Sequence, residues 1–578
     1  MKQLKDWAKK IDDSNPGNHS TLRVVTTMRW FVFALIGTLS SAGFSIELRN
    51  CDRATVFSSK PTELELFGSD LRDEKDQPAD LWTSFPATVE VIDPDRKDRG
   101  RVRYRITPKD PISGVVAVRA FHQVEVSQAL LFFVDDEAQT LIPEEAGDAV
   151  AIPASLDFQS RGLGEHRIPV HLKEGQTLVA EVMGQRLGGE VDPLIILQNN
   201  QGEEVAFADD DPILGSDPIL RYEPKSTGTH YLIIRDIEYR GGVRLYLRMD
   251  SLGLAGTVFP NALRLGETRQ VMIEPIDSQS ASTAVDQAIK SLAVSKPEVG
   301  EGVTDFVIAD RLVSMVQTRG PVFLEGETEV VPVPSVFCGQ LASGDVQDEI
   351  VLSLQRGITL TIKALRTNGP FVGQIRLFRG ENRVAEHHWG LDLNGHLRYE
   401  VPEQGLYRLE VRDCLDRSGV GMEYALRLGN NDVNAVLKIG DSKKRKKLRN
   451  ERPHRVAVTA GEVLELNIRV DRRGLQGPVR LCAWIEGMPC SSIVEIPADK
   501  SDTDWALEIP PSDQPTHLQQ MVIRGYAKVK GQVVEIPLDL QEHLRRDYPG
   551  TTHWPSLLDR MALVVSPPEQ QDSAEEKE

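Results

Sequence analysis

The sequence predicts an all-β fold of tandem β-sandwich modules, and three observations carry that expectation. Short runs of alternating apolar and polar residues recur along the chain, bounded by Gly, Pro, Asn and Asp. A period of two is what a strand with one buried face requires. Helical periodicity is scarce, confined to the short candidates Ala284 to Val294 and Leu538 to Arg546. The third observation is an internal repeat. Leu220-Arg221-Tyr222-Glu223 returns as Leu397-Arg398-Tyr399-Glu400, Gly228 as Gly405 and Arg235-Asp236 as Arg412-Asp413, all 177 positions further on.

Residues 29–45 read RWFVFALIGTLSSAGFS, an Arg followed by an apolar run and then small residues. That is the order of a secretory signal. The apolar run falls short of the roughly 18 to 20 residues that a spanning helix needs. Residues 1–45 are therefore expected to be a signal peptide. The polar stretch from Met1 to Thr27 is long for such a leader, so translation starting at Met28 is the alternative. The expected location is secreted, periplasmic or cell-surface, with no transmembrane segment left after cleavage.

At 578 residues the chain exceeds one core, and roughly 150 residues per domain points to about four modules with cores in series. A net charge of −19 repels nucleic acid, which is excluded as a partner, and disfavours anionic membrane surfaces. The five cysteines show no CxxC metal spacing. In an exported chain Cys338 with Cys414 and Cys482 with Cys490 are the expected bridges, each within one module; Cys51 is left over. Buried free thiols are the alternative.

In chain order, residues 46–135 form a first module, with strands expected over Thr62 to Phe67 and Arg101 to Ile106. The repeated modules occupy 150–250 and 334–430. Strand Thr177 to Val182 of one matches Ile358 to Ala364 of the other, and Gly242 to Met249 matches Gly421 to Leu428. Tyr231 and Ile233, like Tyr407, Leu409 and Val411, are the expected core positions of a shared strand. Residues 251–333 read as a partial module or linker. Residues 431–565, with a strand over Glu462 to Val470, form the last module, and 566–578 an acidic disordered tail.

The stretch from Gly175 through Gln185-Arg186-Leu187, Asp192-Pro193, Leu197, Glu204-Val205-Ala206, Asp209-Asp210 and Gly228-Thr229-His230-Tyr231 resembles the bacterial pre-peptidase C-terminal domain. That resemblance implies a jelly-roll-like β-sandwich of the kind appended to secreted hydrolases and surface proteins. The second copy departs from it, with Glu386-His387-His388 in place of the acidic pair and no Asp-Pro. Residues 46–135, Gly253 to Ile276 and 432–540 resemble Ig-like modules, the first of them IPT/TIG-like.

Asp209-Asp210-Asp211, with Asp217 nearby and Asp192 upstream, gather oxygen ligands suited to Ca²⁺, although no EF-hand spacing is present and a solvated acidic loop is the bland alternative. No other cofactor is expected. Glu386, His387, His388 and His396 are the densest imidazole group, but neighbours on a strand face opposite ways, so only one of the adjacent pair can serve a given site. The basic run Lys443-Lys444-Arg445-Lys446-Lys447 with Arg449 reads as a solvated loop or a contact with anionic polysaccharide. GxSxG, HExxH, P-loop, GxGxxG and SxxK motifs are missing. The expected function is non-enzymatic binding or scaffolding at the cell surface or envelope, with a polysaccharide or protein ligand. A secreted hydrolase with an unrecognised site and a purely architectural envelope protein are the alternatives.

Overall fold

The computed structural model describes residues 46–568, apart from isolated positions and short stretches, the longest being 140–147, 211–214, 251–255, 276–289, 294–301, 366–372, 390–395, 441–451 and 549–559. The leader and the acidic tail beyond residue 568 thus lie outside it. Strands dominate throughout. The expected strands appear as Thr62–Ser69, Arg101–Pro108, Leu178–Met183, Thr359–Leu365 and Val463–Asp471. In Thr62–Ser69 the alternation turns Thr62, Leu64 and Leu66 inward. Of the two helix candidates, the later becomes the helix Gln541–Asp547. The earlier fails where it is described: Lys290–Ala293 is a strand paired to Thr268–Pro275. A few turns of weak periodicity yield to a neighbour's free edge.

The two repeated stretches fold with one strand order. In the first copy one sheet runs Val150–Ala151, His166–Leu172, Gly228–Asp236, Pro193–Gln198, Glu204–Ala208. Its companion runs Ile219–Tyr222, Leu178–Met183, Arg244–Asp250, Ala154–Gln159, Ala138–Gln139. In the second copy the sheets run Asp348–Leu354, Gly405–Asp413, Gly373–Arg379, Asn382–His388, and Leu397–Glu400, Thr359–Leu365, Glu423–Gly429, Ser335–Gln340, Val322–Leu324. Even the outer parallel strands correspond, Ala138–Gln139 beside Ala154–Gln159 and Val322–Leu324 beside Ser335–Gln340. The repeated Asp is a turn residue: buried Asp236 accepts the Arg240 amide at 2.7 Å, and Asp413 the Arg417 amide at 3.2 Å.

One expectation for this strand is corrected. The inward residues of the first copy are Leu232 and Ile234, matching Tyr407, Leu409 and Val411 of the second. Tyr231 and Ile233 point the other way, and Tyr231 lies beneath the Arg167 guanidinium at 4.1 Å. A one-residue slip in parity exchanges the two faces of a strand.

The remaining sheets form three modules of a second kind. The first pairs Glu47–Cys51, Thr62–Ser69, Arg101–Pro108, Ala87–Val91 with a sheet of Thr55–Val56, Leu130–Val134, Gly114–Phe121, Asp80–Thr83. The third has Gly256–Phe259, Thr268–Pro275, Lys290–Ala293 and Ala262–Arg264, Arg311–Thr318, Gly302–Ile308. The fifth has Val436–Gly440, Val463–Asp471, Asp502–Glu508 and, in a larger sheet, Arg455–Thr459, Met561–Ser566, His517–Val529, Val479–Ile485. In each, the short second strand runs parallel to the last: Thr55–Val56 to Leu130–Val134, Ala262–Arg264 to Arg311–Thr318, Arg455–Thr459 to Met561–Ser566. Two kinds of sandwich therefore alternate along the chain.

Each repeated sandwich docks on the flanking module before it. Asp157 of the second module accepts the amides of Ala54 and Thr55 at 2.8 and 3.0 Å, and Tyr246 stacks on Phe133 at 4.6 Å. In the fourth, Cys338 takes the place of Asp157, and its thiol lies against the amides of Asn261 and Ala262. The expectation of separate cores in series is corrected at the fifth module. Its core is continuous with Ala54, Val115, Ala117, Leu131 and Phe133 of the first, and the described residues from Ile46 onward form one compact unit. Cys51, Cys338, Cys414 and Cys482 are free, so neither expected bridge forms; Cys490 lies outside the described residues. Cys338 is buried in a core strand, whereas Cys414 is exposed beyond the strand Gly405–Asp413.

Candidate functional site

The first repeated sandwich concentrates acid at one corner. Asp192 precedes Pro193–Gln198, and Asp209 and Asp210 follow the antiparallel partner Glu204–Ala208, so strand pairing brings three carboxylates together. One oxygen from each lies within 4.8 Å of the others. The Asp192 backbone is fixed by neighbouring turns, its amide to Asp236 at 2.7 Å and its carbonyl to the Ile237 amide at 2.8 Å. Asp192 Oδ1 and Asp209 Oδ1 are enclosed without hydrogen-bond partners. Burial, with Asp210, Asp209 and Asp236 adding, raises the Asp192 carboxyl above its ordinary range, against the Ser216 hydroxyl. Enclosed oxygens under mutual repulsion are a donor set that a hard cation would relieve.

Of the five expected ligands, Asp217 is placed elsewhere. Asp211 lies outside the described residues. Asp217 is fully buried, and its oxygens accept the amides of Gly184, Gln185 and Arg186 at 2.8 to 2.9 Å and Arg186 Nε at 2.8 Å. Arg186 in turn reaches Glu181 at 2.8 Å. Asp217 therefore clamps the turn that carries Gln185-Arg186-Leu187, a fold role rather than a ligand role. Sequence proximity to the acidic run placed it with the wrong partners.

The fourth module fills the corresponding corner with different chemistry. Ile375 pairs with His387 as Ile195 pairs with Ala208 in the second module, which sets His388 where Asp209 stands. On the outward face of Asn382–His388, His388 Nε2 lies 3.2 Å from Glu386 Oε1, and Gln374 Nε2 donates to the same oxygen at 2.6 Å. His388 Nδ1 lies 3.9 Å from Cys414 Sγ. Burial opposes it, but Gln374, Arg383 and Arg376 hold the Glu386 carboxyl below its usual range. Burial and Asp413 push the Cys414 thiol up, which keeps it protonated. His387 turns inward against Trp389 at 5.1 Å, and burial, then His396 and His388, lower it. The adjacent histidines thus face opposite ways, as alternation requires.

Cys414 is the corner residue that sequence reasoning missed. Its signal was available in the repeat, because the 177-residue offset sets Cys414 opposite Ile237, the residue hydrogen-bonded to Asp192. The run Lys443 to Lys447 with Arg449 lies outside the described residues. No helix among the described residues is long and apolar enough to cross a membrane.

No model of a known protein family matches the chain, and no curated protein matches it. Among solved structures, the pre-peptidase C-terminal domain of collagenase from Bacillus anthracis is 21% identical, over 18% of this chain and 94% of that one, with a TM-score of 0.15. Fibronectin(III)-like modules of Clostridium thermocellum CbhA are 12% identical over 32% and 88%, with a TM-score of 0.12. The ICAM-5 D1–D4 ectodomain fragment is 10% identical over 86% and 100%, with a TM-score of 0.13. The all-β, multi-module fold stands on the sheets themselves.

Proposed function

We propose that the chain is an exported, non-enzymatic scaffold of β-sandwiches that binds an envelope or extracellular polysaccharide or protein through the corners at which its two repeated modules differ. The supporting observation is one strand order carrying two chemistries: a carboxylate corner at Asp192, Asp209 and Asp210 and an imidazole, thiol and carboxylate corner at His388, Cys414 and Glu386. Rigid sheets with divergent loops are how binding scaffolds vary their ligands. In this reading both repeated modules are diverged pre-peptidase C-terminal sandwiches, and Ca²⁺ orders the first corner.

A hydrolase reading has one observation in its favour, the sequence of thiol, imidazole and carboxylate from Cys414 through His388 to Glu386. The raised thiol weighs against it, since the thiolate is the nucleophile. The deciding experiment screens the mature chain against envelope polysaccharides and secreted proteins, beside a peptidase and glycosidase panel. Binding without turnover is expected; turnover lost in Cys414→Ser would overturn the proposal. For the cation, excess Ca²⁺ should raise the melting midpoint of the wild type and leave the Asp209→Asn, Asp210→Asn double variant unmoved. A midpoint indifferent to Ca²⁺ and to chelator removes the cation from the account.

A further inference from the structure

The three flanking modules share a docking position, just before the strand that runs parallel to the last one. There Ala54 accepts the Phe133 amide, Asn261 the Val316 amide and His454 the Ala562 amide, at 2.9, 3.0 and 2.9 Å. In the first and third modules this position meets a repeated sandwich, through Asp157 and Cys338 respectively. In the fifth it meets the first module instead. Leu518, Ala562 and Val564 pack on Phe121 and Val126, and the Ser566 hydroxyl donates to the Gln123 carbonyl at 2.8 Å.

A buried ionic knot closes this seam. His454 is 1% exposed and donates from Nε2 to Asp547 at 2.9 Å. Arg452 and Arg455 reach the same carboxylate at 3.1 and 3.4 Å. Arg455 also donates across the seam to the Val126 carbonyl at 3.2 Å. From the helix, His543 stacks on the His454 ring at 5.4 Å, and the Tyr548 hydroxyl crosses to the Ala129 carbonyl at 2.8 Å. From the first module comes the charge of Arg119, itself bonded to the Ser127 carbonyl at 3.0 Å. His454 Nδ1 is buried and has no hydrogen-bond partner. A proton there would create a donor with no acceptor, in a pocket that already holds three guanidinium groups and one carboxylate.

We propose that the seam between the fifth and first modules is a latch held shut by neutral His454 and released by acid. Burial first, then Arg455 and Arg119, push the imidazole down to about 4, against the pull of Asp547. An opened ring titrates near 6.5. The opened form therefore binds a proton through a range in which the closed form does not, and closure weakens as pH falls from about 6.5 towards 4, by up to about tenfold per pH unit. Above that range the latch is at full strength. Asp547 stays ionised through it, because His454, Arg455 and Arg452 outweigh burial and hold its carboxyl low. What the latch uncovers is the sheet face that, in the two other flanking modules, receives a sandwich.

Hydrogen exchange of the full chain at pH 6.5 and 4.5, corrected for the intrinsic rate, tests this. Exchange at 121–128 and 561–566 should accelerate by up to about 40-fold relative to the intrinsic rate, while Thr62–Ser69 and Arg101–Pro108 keep their protection. His454→Gln keeps a donor for Asp547 and cannot titrate, so its seam should not respond to pH. An equal response in His454→Gln, no response in the wild type, or loss spread evenly over the first module would each overturn the proposal. Should His454→Gln fail to fold, Arg119→Met decides: removing one facing charge should shrink the response, and an unchanged response overturns the latch.

Discussion

Asp217 directs both oxygens to three amides and the Arg186 guanidinium, whereas Asp192 and Asp209 keep enclosed oxygens that accept nothing. Asp209 and Asp217 sit in one acidic stretch of sequence, and only the fold separates their roles. A third sort appears in the fourth module, where Asp348 accepts the buried Tyr424 hydroxyl at 2.8 Å. Burial pushes the Asp348 carboxyl up to about 7, with Glu325 and Asp345 adding and Tyr424 opposing. The folded state thus holds a proton that the unfolded chain releases near 3.9. This contribution to stability is full below about pH 4 and is lost as pH rises through about 7. Asp348→Asn, which still accepts from Tyr424, should flatten that part of the denaturation profile. An unaltered slope between pH 4 and 7 would show that another group is responsible.

The strands were legible because each buries one face, and alternation survives without any knowledge of partners. Parity was not. The run from His230 to Ile234 carries apolar residues on both faces, so composition alone left open which set met the core. The 177-residue offset answers it, since it places Leu232 and Ile234 opposite Leu409 and Val411. Leu232→Ala should cost about 2–5 kcal/mol in urea denaturation. Tyr231→Ala, which uncovers Arg167 at the surface, should cost about 1 kcal/mol or less. Equal losses would return Tyr231 to the core. The carboxylate corner was partly legible, because a run of Asp residues stands out in a sequence. The corner of Cys414, His388 and Glu386 was hidden, because Cys414 lies 26 residues beyond His388 and meets it only through sheet register.

At the scale of the molecule, local patterning could yield the modules but not the way the fifth turns back on the first. The clue was muted: Gly114–Phe121 and Leu130–Val134 are apolar on both faces, as a sheet covered on two sides must be. One face fills the first module, with Val116, Val118 and Phe132, and the other carries Val115, Ala117, Leu131 and Phe133 towards the second and fifth. A chain shortened to residues 46–430 should leave part of that outer face bare. It should bind a hydrophobic dye and self-associate where the full chain does not. A shortened chain that stays monomeric and dark to the dye would show that the fifth module is not needed as a cover.

The turn from Gln123 to Glu125 receives both extremities of the folded body. The Ile46 amide reaches the Glu125 carboxylate at 2.9 Å, and the Ser566 hydroxyl reaches the Gln123 carbonyl at 2.8 Å. Five sandwiches strung end to end would hold an anchor and a cargo a long way apart. Folded back in this way, the same five hold whatever is joined at either extremity side by side, and a pull between the two bears on the first and the last strand of the body at once.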